Sequence, residues 1–376
     1  MIKSDFEHEY LFVLGNGASI ASINPELSKY LQHNPSIRNY IPMLEELDGV
    51  NRRFPFALSG LMDENYFEEV KGLIGKVIEI SERERERNIV KILEKYVAIN
   101  WSQRNEFTLQ EKTDQSMPIW IDINILENAI YHLVAACYRN YEEKYFEKLW
   151  RLVRENHSPV ISLNWDINFE KIILKENPKV PMANYYGKCI FNLSPSDQKN
   201  EPYNPIVNIL KPHGSLNWLI PTGIQSTFGN LNDRSNELQP AGHLRVLNEM
   251  PVDFNSEYQC FLLPPVPDEA AVDEFSGLFW RIKRAVKDDV FERIKEYAGN
   301  TRTLVIIGYS FPAEDRHIEN LFMNNRFENV SVFGIDEEVF QRIQGYFPKA
   351  KHEFRKGGFA DIMEWPDVGE DFKPSR

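Results

Sequence analysis

The stretch Leu11-Phe12-Val13-Leu14-Gly15-Asn16-Gly17-Ala18-Ser19-Ile20 decides how this chain is read. Tyr10 to Leu14 is an apolar run of the length expected for a buried strand. It stops at Gly15 to Ser19, and Ile20 to Leu31 then shows helical spacing with Pro25 inside it. Strand, glycine turn and helix is the way an open parallel sheet receives a phosphate. Glycine lets the backbone approach a pyrophosphate, and free N–H groups at a helix start favour anionic oxygens. Ile20 stands where the third glycine of G-x-G-x-x-G belongs. On its own, therefore, the stretch fits a strand-to-helix turn that holds nothing equally well.

Downstream, the pattern changes. From about Tyr40 to Arg154 the apolar residues fall three and four apart, as in Leu73, Ile74, Val77 and Ile78, which predicts helices. The run from Ser81 to Arg87 alternates in charge and reads as a solvated helical face. Asp122 to Arg139 and Glu142 to Arg154 predict two more helices. The sheet resumes at Ser158 to Leu163, followed by a helix over Phe169 to Glu176. Ala183 to Ile190, Ile206 onward, and Glu257 to Leu263 are expected strands. Phe275 to Tyr297 predicts an amphipathic helix, Thr303 to Gly308 a buried strand, Asp315 to Met323 a helix and Val330 to Ile335 the last clear strand. Thr222 to Ala241, rich in Gly, Asn, Ser and Asp, reads as a loop.

Strands alternating with helices predict an α/β fold: a Rossmann-like parallel sheet with helices on both faces and a large helical insertion after the first strand. Residues 1–34 and 155–376 form the sheet domain in this reading, and 35–154 the insertion. Ligands of such sheets bind outside the carboxyl ends of the strands. Here those ends carry Gly15 to Ser19, Asn164 with Asp166, His213, Gly308 to Ser310, and Asp336.

Bulk properties narrow the classes. A chain of 376 residues suffices for one large α/β domain with an insertion, or for two domains. A formal net charge of -13 opposes strong direct binding of nucleic acid. Cys137, Cys189 and Cys260 lie far apart with no C-x-x-C pair, so no zinc or other metal site is expected, and dispersed thiols fit a reducing cytoplasm. Met1 to Tyr10 lacks a signal-peptide core, and no apolar run approaches the roughly 20 residues that span a bilayer. A cytoplasmic protein without membrane segments is expected.

The strand-end residues carry a resemblance. Gly15-Asn16-Gly17-Ala18-Ser19 resembles the G-A-G-x-S motif of sirtuins, Asn164-Trp165-Asp166 their Asn-x-Asp motif, His213-Gly214 the catalytic His-Gly, and Gly308-Tyr309-Ser310 a later G-x-S segment. The order matches too, over roughly residues 8–34 and 155–340. Leu262 to Pro265 and Trp280 look like the bacterial sirtuin-like branch. Protein-deacylating sirtuins usually carry a four-cysteine zinc module, which three cysteines cannot supply. The missing module and the long helical insertion resemble the sirtuin-like, NAD-cleaving effectors of bacterial antiphage defence.

That resemblance implies NAD as the substrate. Gly15, Asn16, Gly17, Ala18 and Ser19 would cradle the pyrophosphate, largely through backbone N–H groups; Gly308 and Ser310 would contact the cofactor, and Asp336 would bind the adenosine ribose. An Asp in that position reads equally as a helix N-cap. Asp166 would bind ribose or support the local hydrogen bonds. Cleavage of the nicotinamide–ribose bond passes through an oxocarbenium-like state with a leaving group that needs no protonation, so the site must hold ribose and admit water. Asn164, a neutral amide, would orient ribose hydroxyls or that water, unless it merely caps the helix after it. His213, the residue type that exchanges protons near neutrality, would take the proton. The resulting expectation is an NAD glycohydrolase acting as a defence effector. It would be a homo-oligomer, with the insertion as assembly surface and a HerA-type ATPase or another defence protein as partner. An NAD-dependent protein deacylase and a non-catalytic NAD- or ADP-ribose-binding subunit are the alternatives.

Overall fold

A computed structural model describes residues 7–15, 17–19, 143–186, 207–221, 245–248, 258–262, 278–311 and 316–365. Within them lies a six-stranded sheet of β1 (His8–Leu14), β2 (Val160–Ser162), β3 (Ile209–Leu210), β7 (Thr301–Ile307), β8 (Asn329–Phe333) and β9 (Lys351–Arg355), in the order β3-β2-β1-β7-β8-β9. Every neighbouring pair is parallel. The chain steps outward from β1 through β2 to β3, then returns to the other side of β1 with β7. The fold is therefore α/β with a parallel sheet, as the alternation of strands and helices predicts.

The inner strands read as continuous apolar runs because both of their faces are covered. Leu11, Phe12, Val13, Leu304, Val305, Ile306 and Ile307 are all fully buried. The register matters more for function. Leu14 pairs with Ser162 on one side and Ile307 on the other, and Ile307 pairs with Phe333. The ladder continues one residue further, through Gly15 N–H to the Ile307 carbonyl at 2.9 Å, Leu163 N–H to Leu14 at 2.9 Å and Gly308 N–H to Phe333 at 2.9 Å. The strands thus end level, and the segments after them emerge together along one edge.

Helices pack in two groups. Helix α1 (Glu143–Glu155) buries Phe146, Leu149, Trp150, Leu152 and Val153, a stripe at helical spacing. It lies against α2 (Asn168–Glu176) and the 3-10 turn Gly358–Glu364, with Phe146 edge-on to Phe359 and Trp150 edge-on to Phe169. Helix α3 (Leu278–Gly299) packs on β1 and β3 and meets α4 (Arg316–Met323); α5 (Glu337–Tyr346) joins β8 to β9.

A second sheet departs from the expected arrangement. It is antiparallel, with β4 (Gly214–Pro221) between β5 (Arg245–Val246) and β6 (Tyr258–Leu262). The strand expected over Ala183 to Ile190 starts differently as well. Met182–Asn184 forms a 3-10 turn after Pro181, and the Tyr185 and Tyr186 N–H groups fold back to Met182 and Ala183. The Tyr185 carbonyl reaches the sheet edge, accepting from Ile209 N–H at 2.7 Å. Residues 187–190 lie outside the described residues. So do most of the 35–154 insertion, of which 143–154 is described and helical, the Thr222 to Ala241 loop, Asn16 and Asp315. Among the described residues, no helix is long and apolar enough to cross a membrane, and no group of His, Cys, Asp and Glu is arranged to hold a metal ion.

Candidate functional site

The reversal of strand order falls between β1 and β7, and a ligand crevice of an open parallel sheet forms at such a point. The two turns that meet there are locked backbone to backbone. Gly17 N–H donates to the Gly308 carbonyl at 2.8 Å. A side chain on Gly15 would place its Cβ 2.6 Å from that same carbonyl oxygen, and one on Gly308 would meet Ala18 N at 2.2 Å. Gly308 also has φ of +61°, in the left-handed region. Gly15, Gly17 and Ala18 spend their N–H groups within the protein, on Ile307, Gly308 and Gly15 respectively. The absence of side chains at Gly15 and Gly17 therefore serves the contact between two turns, a use that the glycine pattern alone does not distinguish from a phosphate cradle.

Ser19 and the segment after β2 form the polar centre. Asn164 Nδ2 donates to the Gly15 carbonyl at 3.0 Å and to Ser19 Oγ at 2.7 Å. Because a carbonyl oxygen only accepts, the amide must present its nitrogen to Gly15. Ser19 Oγ in turn donates to Asp166 Oδ2 at 2.6 Å, and Asn168 N–H donates to Asp166 Oδ1 at 3.1 Å. All four residues are buried. Both Asn164 N–H bonds point inward, and its Oδ1 accepts no hydrogen bond among the described residues, which leaves it as the acceptor offered to a ligand. Asn164 is thus not a cap of α2, whose N-cap is Ile167 with no side-chain bond. Burial pushes the Asp166 carboxyl above its ordinary range, opposed by the Lys211 charge, the Ser19 hydroxyl and the Asn168 N–H.

His213 sits in the turn after β3, buried, and Trp165 Nε1 donates to its carbonyl at 2.9 Å. The turn closes through Gly214 N–H to the Lys211 carbonyl at 3.0 Å, with Pro212 in the second position that favours proline. Asn164 and His213, expected to carry the chemistry, thus come from adjacent strand ends, with the Trp165 indole bridging from one to the other.

Ser310 is exposed, and Arg342 donates to its carbonyl. Phe311, next to it, holds φ of +49°, wedged among Tyr309, Phe322 and Tyr346. Asp336 caps α5: its Oδ1 accepts from Glu338 N–H at 2.9 Å and Val339 N–H at 3.4 Å. It remains exposed at the end of β8.

Behind these residues lies a network that the sequence reading does not anticipate. Lys211 Nζ donates to the Asp166 backbone carbonyl at 2.6 Å and to Glu170 Oε1 at 2.8 Å; the two side chains are 0% and 1% exposed. Tyr186 Oη lies 3.0 Å from that same carboxylate oxygen and 3.2 Å from Asn217 Oδ1. Burial first, then the Glu170 charge, push the Tyr186 phenol well above its ordinary value, so it stays a donor. Asn217 Nδ2 ends the chain on the Leu247 carbonyl at 2.8 Å. One signal was available: Glu170 stands on the same stripe of α2 as Phe169, Ile172 and Ile173, where a carboxylate needs a buried partner.

In comparisons with known proteins, the sequence matches no protein-family model and no curated protein.

Proposed function

We propose that this protein is an NAD glycohydrolase built on a Rossmann-like sheet, splitting NAD into nicotinamide and ADP-ribose. The observation that carries the reading is the Asn164 amide. It is fixed through both N–H bonds and offers its Oδ1 beside the strand-order reversal, and the next residue, Trp165, donates to the His213 backbone carbonyl. An oxocarbenium-forming reaction needs such a fixed, neutral acceptor for ribose hydroxyls or water, with a proton acceptor nearby.

In this reading the C1′–N bond breaks with its electron pair leaving on nicotinamide, which departs neutral. Asn164 Oδ1 holds a ribose hydroxyl or the incoming water through a hydrogen bond. Water adds to C1′, and His213 accepts the proton that it loses. NAD and water give nicotinamide, ADP-ribose and one proton. Ser19 and Asp166 work from behind, keeping the Asn164 amide turned the right way. With the N–H groups of Gly15, Gly17 and Ala18 already engaged, the pyrophosphate would rest on the remaining groups of the 15–19 and 308–310 turns, and the exposed Asp336 stands ready for a ribose.

The resemblance extends the proposal to NAD depletion in antiphage defence, by a homo-oligomer working with a HerA-type ATPase. Purified protein is incubated with NAD beside Asn164→Ala and His213→Ala, alone and with a partner ATPase. Nicotinamide and ADP-ribose formed without an acyl acceptor, and lost in both variants, are expected. Turnover only with an acetylated peptide overturns the reading in favour of deacylation, and NAD binding without turnover under every condition overturns it in favour of a binding subunit.

A further inference from the structure

The turns after β2 and β3 are cross-laced. Trp165 Nε1 donates to the carbonyl of His213, and Lys211 Nζ donates to the carbonyl of Asp166. Each turn thus sends one side chain to a backbone carbonyl of the other: the acceptor Asp166 adjoins the donor Trp165, and the acceptor His213 lies two residues from the donor Lys211. A single bond would leave the turns free to rock about it. A second bond, running the opposite way, opposes that rocking.

The two laces differ in kind. Lys211 is fully buried and its charge is balanced by Glu170, so its bond to Asp166 lies away from water, where a charge-assisted bond is strong. Trp165 is only partly buried. His213 occupies the third position of the Lys211–Gly214 turn, so its carbonyl and the Lys211 side chain hold the turn at both ends.

We propose that Trp165 and Lys211 are positioning residues that hold His213 at a fixed place relative to Asn164. Neither needs to touch substrate. Misplacing a reacting group by an ångström costs up to about a hundredfold in rate. The catalytic half of this inference rests on the NAD-cleaving reading; the coupling of the two turns does not.

The test uses the full chain with ¹⁵N-labelled tryptophan indoles and ¹³C-labelled histidine rings. Trp165→Phe keeps the ring, removes the N–H and identifies the Trp165 resonance. Lys211→Met with Glu170→Gln removes the ion pair as a unit, so that no buried charge is stranded. In that double variant we expect the Trp165 indole resonance to shift and its N–H to exchange faster with solvent, although neither replaced residue bonds to the indole. In Trp165→Phe we expect the His213 ring resonance to shift. An unmoved Trp165 indole in the folded double variant, or an unmoved His213 ring in Trp165→Phe, overturns the coupling whether or not the protein cleaves NAD. Kinetically, Trp165→Phe should lower kcat about ten- to a hundredfold with KM for NAD unchanged. A raised KM at unchanged kcat would make Trp165 a pocket wall and overturn its positioning role. Wild-type protein that does not cleave NAD, with both NMR shifts present, overturns the NAD reading alone.

Discussion

The Ser19 hydroxyl donates to Asp166 Oδ2 at 2.6 Å across 147 positions of sequence while its oxygen accepts from Asn164 Nδ2 at 2.7 Å. Ser19→Ala therefore strands both an amide N–H and a carboxylate oxygen in a buried place. A loss of about 1–3 kcal/mol follows for such unsatisfied groups. Urea unfolding measures it, and a loss under a few tenths would mean that the chain Asn164–Ser19–Asp166 is not formed in solution.

Acidity acts on the same chain. Because burial raises the Asp166 carboxyl, the folded protein holds its proton at pH values where the unfolded chain has already released it. The contribution of Asp166 to stability therefore falls as pH rises from the ordinary carboxylate value through the raised one, and levels off above it. Asp166→Asn lacks this dependence. Variant-minus-wild-type stability should grow with pH across that window and be flat beyond it, as read from urea midpoints over a pH series. Parallel curves would show that Asp166 titrates normally.

Two glycines should respond with opposite signs. Gly308→Ala must accommodate φ of +61° and a Cβ 2.2 Å from the Ala18 nitrogen. The left-handed backbone alone costs about 1–2 kcal/mol, and the overlap with fixed backbone adds to it. Gly345, inside α5, has nothing within 4 Å of a Cβ, so Gly345→Ala should stabilise by about 0.5–1 kcal/mol. Melting temperatures of the two variants check both, and a Gly308→Ala protein as stable as wild type would deny the locked turns.

The buried pair calls for a double-mutant cycle. Lys211→Met leaves Glu170 charged, 1% exposed and without its cation, at a cost of about 3–5 kcal/mol. Adding Glu170→Gln should recover much of that loss. Additive single costs in urea unfolding would mean that the two charges do not interact.

The inner strands β1, β2 and β7 are legible in the sequence because residues with both faces covered must be apolar. β9 is not legible. It is an edge strand, and Lys351, His352, Glu353 and Arg355 can stand on its partly open surface. Asn164 and His213 are picked out in the sequence because Asn164 directly follows the apolar run of β2 and His213 comes three residues after that of β3. Lys211 is hidden by the ordinary habit of lysine, which belongs at the surface unless paired. Its partner, Glu170, lies 41 residues away on α2, and only the folded chain brings the two together. The glycine turn shows a different limit. The sequence reports that no side chain fits at Gly15 and Gly17, but the crowding comes from Gly308, nearly 300 residues later.

That separation bears on the birth of the protein at the ribosome. β1 lies between β2 and β7, and its β7 partners begin at Thr301. At roughly 5–20 residues per second, β1 waits about 15 to 60 seconds for the neighbour that completes its side of the sheet. Until then Gly17 lacks the Gly308 carbonyl, and the turn carrying Ser19 has no floor. A nascent or prematurely ended chain short of the Gly308 turn therefore possesses Asn164 and His213 but not the site. If the protein cleaves NAD as proposed, a chain still being made could not yet do so.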